Sequence, residues 1–469
     1  MSRMRGVLVC ALIALGLLGA SAGPALAHAS LVGSVPAING KGISEDTKQV
    51  TLVFSEPVQI LNRSDVTIVN QHGFRVDTGA PRLVKGDATR VIVPMRGPLL
   101  PQGYTVRYRL VSSDSHEVAQ AWVFAVGRAP LTPPILAGSG GLTDSSPVSV
   151  AARAVELLAL GLLIGLIAFR AFVWGPAVKT ATGLDAAERE TALRHGQRIF
   201  WRAFWSLAVV TGLAETSVLA AKTAVVFHTG FFGALTHPDA AYRLVAASRF
   251  GDLLGWRCAA LFALVGVGFV IWSAEKESEP TSGERWPLAL MGLFGVAAVT
   301  LLASQGHASQ APLAPLSVAA DAVHLGGAAI WVGGLPCLVA LLLIAPRVVP
   351  DGGRTLASAA LRKFSKVALW SIIIISVTGI ARMLGELSSP VQLWDTGYGR
   401  DLMLKASLLL PILLIARRNR QFVAALGNGL TPTAARLRSV ARSVQMELAI
   451  AMGIITIAAI LVAQFPGRG

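Results

Sequence analysis

The spacing of apolar positions changes once along this chain. From Leu31 to Val126 apolar and polar residues alternate in short runs: "QVTLVFSEPV", "DVTIVN", "TRVIVPM", "YTVRYRLVS" and "AQAWVFAV". A period of two places successive side chains on opposite faces of a strand, and these runs are rich in Val, Ile, Thr and Tyr. "NQHGFR" and "VKGDATR" between them read as hairpin turns. The pattern predicts an all-β sandwich or barrel with no helix of useful length. From about residue 148 the alternation gives way to long apolar stretches. They fall near 148–175, 200–221, 251–273, 287–304, 317–345, 365–385, 402–416 and 444–464. Each is long enough, or nearly so, to cross a bilayer, the seventh being the shortest. An all-α polytopic membrane bundle of about eight helices is therefore expected after the β-domain.

Two segments fall outside this scheme. "MSRMR", the apolar "GVLVCALIALGLLGA" and the small residues "ALA" have the order of a signal peptide cleaved after Ala27. "GRAPLTPPILAGSGGLTDSSP", rich in Pro, Gly and Ser, reads as a linker. The expected division is a signal peptide at 1–27, a β-domain at 28–127, a linker at 128–147 and a membrane domain at 148–465.

Composition sharpens the picture where charge is concerned. The chain is 53% hydrophobic and only 14% charged, which excludes an ordinary soluble protein. The net charge of +15 would suit nucleic acid, but its placement argues against that partner. The four loops 176–202, 274–286, 346–366 and 417–443 hold 18 Lys and Arg, against 6 in the segments on the other side. Positive charge gathers on the cytoplasmic side of a membrane. The asymmetry predicts eight crossings of the cell (cytoplasmic) membrane, with the β-domain and the C-terminus both on the periplasmic, extracytoplasmic side. Of three cysteines, Cys10 would leave with the signal peptide, so neither a disulfide framework nor a CxxC metal site is expected.

Cleavage after Ala27 would make His28 the first residue of the mature protein. Its free amine and its imidazole would then form a two-nitrogen chelate suited to Cu(II) or Ni(II). "VSSDSHEV" supplies partners, because Asp114 and His116, two apart on an extended strand, point to one face. Together His28, Asp114 and His116 offer an N,O set suited to tetragonal Cu(II).

"HASLVGSVPAING", "LVFSEPV" and "GYTVRYRLVSSDSHEV" resemble the CopC family of periplasmic copper-binding domains over nearly all of 28–127. The resemblance implies an Ig-like or cupredoxin-like β-sandwich or barrel whose Cu(II) ligands are His28, Asp114 and His116. Glu56 matches a family position near the site and ranks below them. Met95 is the single methionine of the mature β-domain, which speaks against a Met-rich Cu(I) loop, and His72 reads as a turn residue.

In the membrane domain, His307 falls just outside the fourth span and His324 about seven residues into the fifth, ~10 Å along a helix. Asp321 and His324 are i and i+3 and share a helix face. Ionisable groups inside a span usually face a bundle interior or a pathway. His307, His324 and Asp321 form a candidate membrane copper path, with interhelical packing as the competing role. Glu215, Arg382 and Lys405 are expected to pair with one another or to snorkel outward. Met383 and Met403 could offer sulfur to Cu(I), although packing is the commoner use. The glycines of "HLGGAAIWVGGL" should allow close helix approach.

"GHASQ", "DAVHLGGAAIWVGGL", "RKFSKVALWSIIIISVTGIAR", "YGRDLMLKASLLLPILLIARRNR" and "RSVQMELAIAMGIITIAAILVA" resemble the CopD copper-resistance membrane proteins. A CopC-like domain ahead of a CopD-like domain is the arrangement of the YcnJ-type copper proteins. It implies a copper-binding membrane protein and not an enzyme. Copper, as Cu(II) in the β-domain and as Cu(I) in the membrane domain, is the cofactor and cargo. Copper ions, the lipid bilayer and other periplasmic copper carriers are the expected partners, without nucleic acid. The chain has no G-x-x-x-x-G-K-[ST] motif and no "DKTG"-like signature, so ATP would not power transport in it. Two rival readings are a haem-containing membrane protein that reduces Cu(II), with His307 and His324 as haem ligands, and a copper sensor or store that transports nothing.

Overall fold

The computed structural model describes residues 29–112, 117–135, 146–227, 229–277, 285–310, 313–387, 389–427 and 432–463. The predicted signal peptide and His28 lie outside them, as do Asp114, His116 and His228.

Eight strands build the N-terminal unit: β1 (Leu31–Val35), β2 (Gln49–Phe54), β3 (Val58–Gln59), β4 (Val66–Asn70), β5 (Arg82–Val84), β6 (Asp87–Pro94), β7 (Gly103–Ser112) and β8 (Glu117–Ala125). They form two antiparallel sheets. One runs β1-β2-β6-β5; in the other β7 pairs with β3 and β4 on one side and β8 on the other. The alternation seen in the sequence sets which side chains face inward. Val50, Leu52 and Phe54 of β2 meet Val66, Ile68, Tyr104, Val106, Leu110 and Phe124 in one core. Buried tyrosines keep a partner for their hydroxyls: Tyr108 donates to Gln120 Oε1 at 2.9 Å, and burial pushes its phenol up to about 12. The predicted β5–β6 hairpin forms around Lys85-Gly86, where a φ of +83° suits glycine. His72 is a turn residue as expected, its amide donating to the Asn70 side chain at 3.0 Å. The first part of the predicted linker lies along β7, with the Ile135 amide donating to Thr105 Oγ1 at 3.1 Å.

The helical unit consists of α1 (Pro147–Phe169), a π-helical segment (Arg170–Trp174), α2 (Gly175–Thr180), α3 (Ala186–Phe227), α4 (Phe231–Thr236), α5 (Pro238–Ala247), α6 (Arg249–Glu277), α7 (Arg285–Ala303), a 3-10 turn (His307–Gln310), α8 (Ala314–Val348), α9 (Gly353–Glu386), α10 (Gln392–Asp395), α11 (Gly397–Ser407), α12 (Leu409–Gly427) and α13 (Ala434–Val462). Ser146 caps α1 by accepting the Ser149 amide, with Pro147 in the first turn where its missing N–H costs nothing. The stretch between the second and third apolar spans is largely helical, formed by the end of α3 with α4 and α5.

Seven helices among the described residues are long and apolar enough to cross a membrane, against about eight expected. The difference is the seventh expected span, 402–416, which is divided between α11 and α12 at Leu408. Pro411 has no N–H to give the Ser407 carbonyl, and its ring crowds that carbonyl. Leu408 keeps right-handed helical dihedrals, φ −66° and ψ −16°, so the chain bends there and continues as helix.

α8 is the centre of the bundle and packs on α1, α7, α9 and α13. The predicted close approach occurs between α1 and α8: a Cβ on Gly333 would strike the Gly161 carbonyl and the Gly165 backbone. In a bilayer, where lipid tails are as apolar as side chains, such close packing carries much of helix association. At the bundle end remote from the β-domain, the Arg170 guanidinium pairs with Glu275 and lies 4.3 Å from the centre of the Phe200 ring.

Candidate metal centre and membrane path

The residues flanking the expected ligands are drawn together by one short link. At its start, the Ser55 amide donates to the Ser30 carbonyl at 2.8 Å and the Ser30 amide to Ser55 Oγ at 2.9 Å. Ser30 is two residues after His28, and Ala29 between them is 2% exposed in the β-core. At the end of the link, Val58 pairs with Ser112, two residues before Asp114. Glu56 sits within this link and is half-buried. On the far side of the hairpin, Val111 pairs with Glu117, next to His116. β7 is described to Ser112 and β8 from Glu117, and the segment expected to carry Asp114 and His116 lies between them, outside the described residues.

The same tip of the β-domain packs on the helical unit. Val111 is buried in one apolar cluster with Ala152 of α1, Val218, Ala221 and Val226 of α3, Leu244 of α5, and Phe250 and Leu254 of α6; Leu61 packs against it. The Asp65 carboxylate holds the turn carrying Leu61, accepting the Leu61 and Asn62 amides at 2.7 and 2.8 Å. Burial raises the Asp65 carboxyl above its ordinary value.

One helical turn below that contact lies a buried ionic cluster. Arg257, 0% exposed, donates to Glu215 at 2.5 Å, Glu156 at 2.6 Å and Gln305 at 2.8 Å. Arg153 holds the other oxygen of Glu156 at 2.6 Å. Ala152, Val218 and Leu254 above precede or follow Glu156, Glu215 and Arg257 by one turn, so the docking contact and the ionic cluster share helices. Glu215 therefore pairs with Arg257, not with Arg382 or Lys405. Arg257 and Glu156 were missed in the sequence because each sits in a long apolar span, and no local motif marks them. The signal available was one arginine facing two glutamates in separate spans.

A cavity of about 500 Å³ opens beside this cluster and runs among α1, α7, α8, α9, α11 and α13. Ser149, Lys222 and Gly306 line its end nearer the β-domain, His324 and Lys405 line it further along their helices, and Met383 lines it near the end of α9. His324 lies ten residues into α8, ~15 Å from the helix start. The helix starts at Ala314, three residues ahead of the expected apolar span. His324 Nδ1 is 3.0 Å from Thr378 Oγ1. The Thr378 hydroxyl also reaches the Ile374 carbonyl at 2.6 Å; when it donates there, Nδ1 donates to Thr378. In a neutral imidazole this leaves the lone pair on Nε2. Gly379 gives the ring its room, since a Cβ there would come 3.3 Å from His324 Cε1.

Asp321 faces the same cavity, but its carboxylate is held by Arg382 Nη1 at 2.6 Å. Arg382 Nη2 binds Glu386 at 2.9 Å, and Glu386 accepts the Tyr398 hydroxyl. The structure thus brings Asp321 and His324 to one cavity and gives them different partners. His307 opens the 3-10 turn directly after Gly306. Met403 lies half-buried on α11. Among the described residues no three His, Cys, Asp or Glu side chains are grouped to hold a metal ion.

Residues 31–127 match the CopC domain family, 143–314 the copper resistance protein D-like N-terminal domain, and 358–461 copper resistance protein D. The chain is 27% identical over 397 residues to "Copper transport protein CutJ" of Bacillus subtilis, covering 83% of this chain and 67% of that one. It is 31% identical over 100 residues to "Protein YobA" of Escherichia coli, covering 21% of this chain and 79% of that one. Among solved structures, CopC from Methylosinus trichosporium OB3b aligns at 21% identity with a TM-score of 0.19, over 23% of this chain and 99% of that one. Selenomethionine PcoC, a copper resistance protein from Escherichia coli, aligns at 25% with a TM-score of 0.17, over 21% and 98%. The chain therefore carries a CopC domain and copper resistance protein D domains in one polypeptide, a copper-related multi-pass membrane protein.

Proposed function

We propose that this protein captures Cu(II) outside the cytoplasmic membrane at His28, Asp114 and His116, and passes copper directly into its own helical unit. The observation that carries the reading is the docking of the β-domain tip: Val111, three residues from Asp114, is buried against α1, α3, α5 and α6. Copper released at that tip has the mouth of the cavity beneath it, with Gly306 ahead of His307 at the mouth and His324 below. His324 Nε2 offers a lone pair to Cu(I). Chelation by His28 requires removal of the signal peptide after Ala27, and the loop charges favour eight crossings with both ends outside. The bent α11–α12 pair supplies the crossing beyond the seven apolar helices.

Radiocopper flux into oriented proteoliposomes tests this. Val111→Asp should leave Cu(II) binding by the β-domain intact and cut flux at least about tenfold, because a buried carboxylate breaks the docking contact. His324→Ala should abolish flux with Cu(II) binding unchanged. Normal flux in Val111→Asp would remove direct hand-over, and normal flux in His324→Ala would reduce His324 to a packing residue.

A further inference from the structure

The cavity in the helical unit has two unlike ends. Hydrogen-bond donors gather at the end nearer the β-domain. Gln305, 5% exposed, lines it there; its Oε1 accepts from Arg257, while its buried Nε2 has no hydrogen-bond partner among the described residues. Arg382 of α9 lines it too. Its two terminal nitrogens hold Asp321 and Glu386, and its buried Nε is without a partner among the described residues. Gln305 stands two residues past the end of α7, and Arg382 one turn before the end of α9. Towards the other end the walls are apolar, with Val332 of α8, Ile375 of α9, Leu409 of α12, and Ala451 and Ile455 of α13.

A buried donor left without an acceptor costs about 1–3 kcal/mol. Two of them on one cavity wall point to an occupant that brings acceptor oxygens. Water would serve the donors but gains nothing from the apolar end. The cavity also has a side. α9 and α13 both pack on α8 but scarcely touch one another, and Ile380, half exposed on α9, lines the cavity as well. In a bilayer such a gap between spans faces acyl chains. Sites for small ligands are about 300–1,000 Å³, mostly apolar, with a few placed polar groups. At about 500 Å³ this cavity fits that description.

We propose that the cavity is a binding site for one phospholipid. An acyl chain enters between α9 and α13 and lies along the apolar end, and oxygens of the phosphate and ester groups accept from Gln305 Nε2 and Arg382 Nε. Lys405, on the wall formed by α11, adds positive charge near the head. The lipid is oriented as in the leaflet on the β-domain side, head towards that domain and chain towards the bilayer centre. A chain held there keeps water out of the bundle, and copper bound for His324 has to displace it. The inference stands on the cavity alone, and copper entry is decided separately by the flux test.

The test is native mass spectrometry of the full-length protein, stripped of lipid in detergent and titrated with dioleoyl phosphatidylglycerol. The parent should keep one phospholipid that survives release of the detergent. Gln305→Glu retains the oxygen that Arg257 uses but removes the donor, and should weaken that binding at least about tenfold. Ala458→Trp fills the cavity from α13 and should abolish it, with size exclusion reporting on the fold. Dioleoylglycerol, with the same chains and no phosphate, should bind at least about tenfold more weakly than the phospholipid. Inorganic phosphate alone should not compete. Equal binding by parent and Gln305→Glu, equal binding of dioleoylglycerol, displacement by inorganic phosphate, or a parent that keeps no phospholipid would each overturn the proposal and leave copper flux through His324 standing. Should Ala458→Trp misfold, Gln305→Glu decides alone.

Discussion

In the β-domain two sheets close on Val50, Leu52, Ile68, Val106 and Phe124, and the expected ligand residues are outside the described residues, next in sequence to the ends of β1, β7 and β8. The helical unit encloses charge instead. Among the described residues the buried Glu156, Arg170, Glu215, Arg257, Asp321 and Glu447 all belong to it. The two halves separate stability and chemistry differently. A β-domain whose core is apolar can lose a ligand at its edge and remain folded. A bundle whose charges face one another across helices has no such freedom, because each charge is both a packing partner and a feature of the cavity.

The comparison can be broken most directly at Arg257. Arg257→Met takes the guanidinium from buried Glu215 and leaves Glu156 to Arg153 alone, and removal of one partner of a buried pair costs about 3–5 kcal/mol. Thermal aggregation followed by size exclusion should show the helical unit failing while Cu(II) binding by the β-domain persists. A variant as stable as the wild type would mean that water, not Arg257, satisfies Glu156 and Glu215. The next effect belongs to the contact of α1 with α8. Gly333→Val places side-chain atoms where the backbone of Gly161 and Gly165 already lies, and overpacking of this kind costs about 1–3 kcal/mol. The same melting assay reads it, and an unchanged midpoint would show that the helices can move apart freely. Asp114→Ala and His116→Ala should each weaken Cu(II) binding by at least about 10–100-fold and leave the circular dichroism of the β-domain unaltered. Loss of fold alongside affinity would erase the distinction drawn between the two halves. The smallest effect is expected at Arg194, whose exposed pair with Glu190 spans one helical turn. Arg194→Ala should change stability by less than about 0.5 kcal/mol; a larger loss would place that pair in an unseen interface.

Much of this arrangement is legible in the alternation of β2, β6 and β7 and in the apolar stretches of α1, α8 and α13, because burial of one face leaves a period in the chain. The bend at Leu408 was also readable, since Pro411 stands inside the shortest apolar stretch. Docking was not. Val111 and Leu61 look like any strand or turn residue, and only the assembled surface shows that they face helices. The ionic cluster was half legible. Glu215 stood out in the sequence, but its partner Arg257 is 42 residues away, and pairing across helices has no local signature. Asp321 and His324 were correctly placed on one face, yet their separate partners, Arg382 and Thr378, come from α9 and depend on how that helix is turned.

The link from Ser55 to Val58 crosses from one sheet to the other: its first residue is bonded beside β1 and its last is paired with β7. His28 precedes β1, and Asp114 and His116 follow β7. A metal held by those three residues would fasten the open end of the sandwich like a buckle. Free metal at 100 times its dissociation constant would then add about 2.7 kcal/mol against unfolding. Pulling on the chain ahead of β1 would strain the metal before it strained the strands, so loading would be felt as stiffness at the end of the domain that rests on the helical unit.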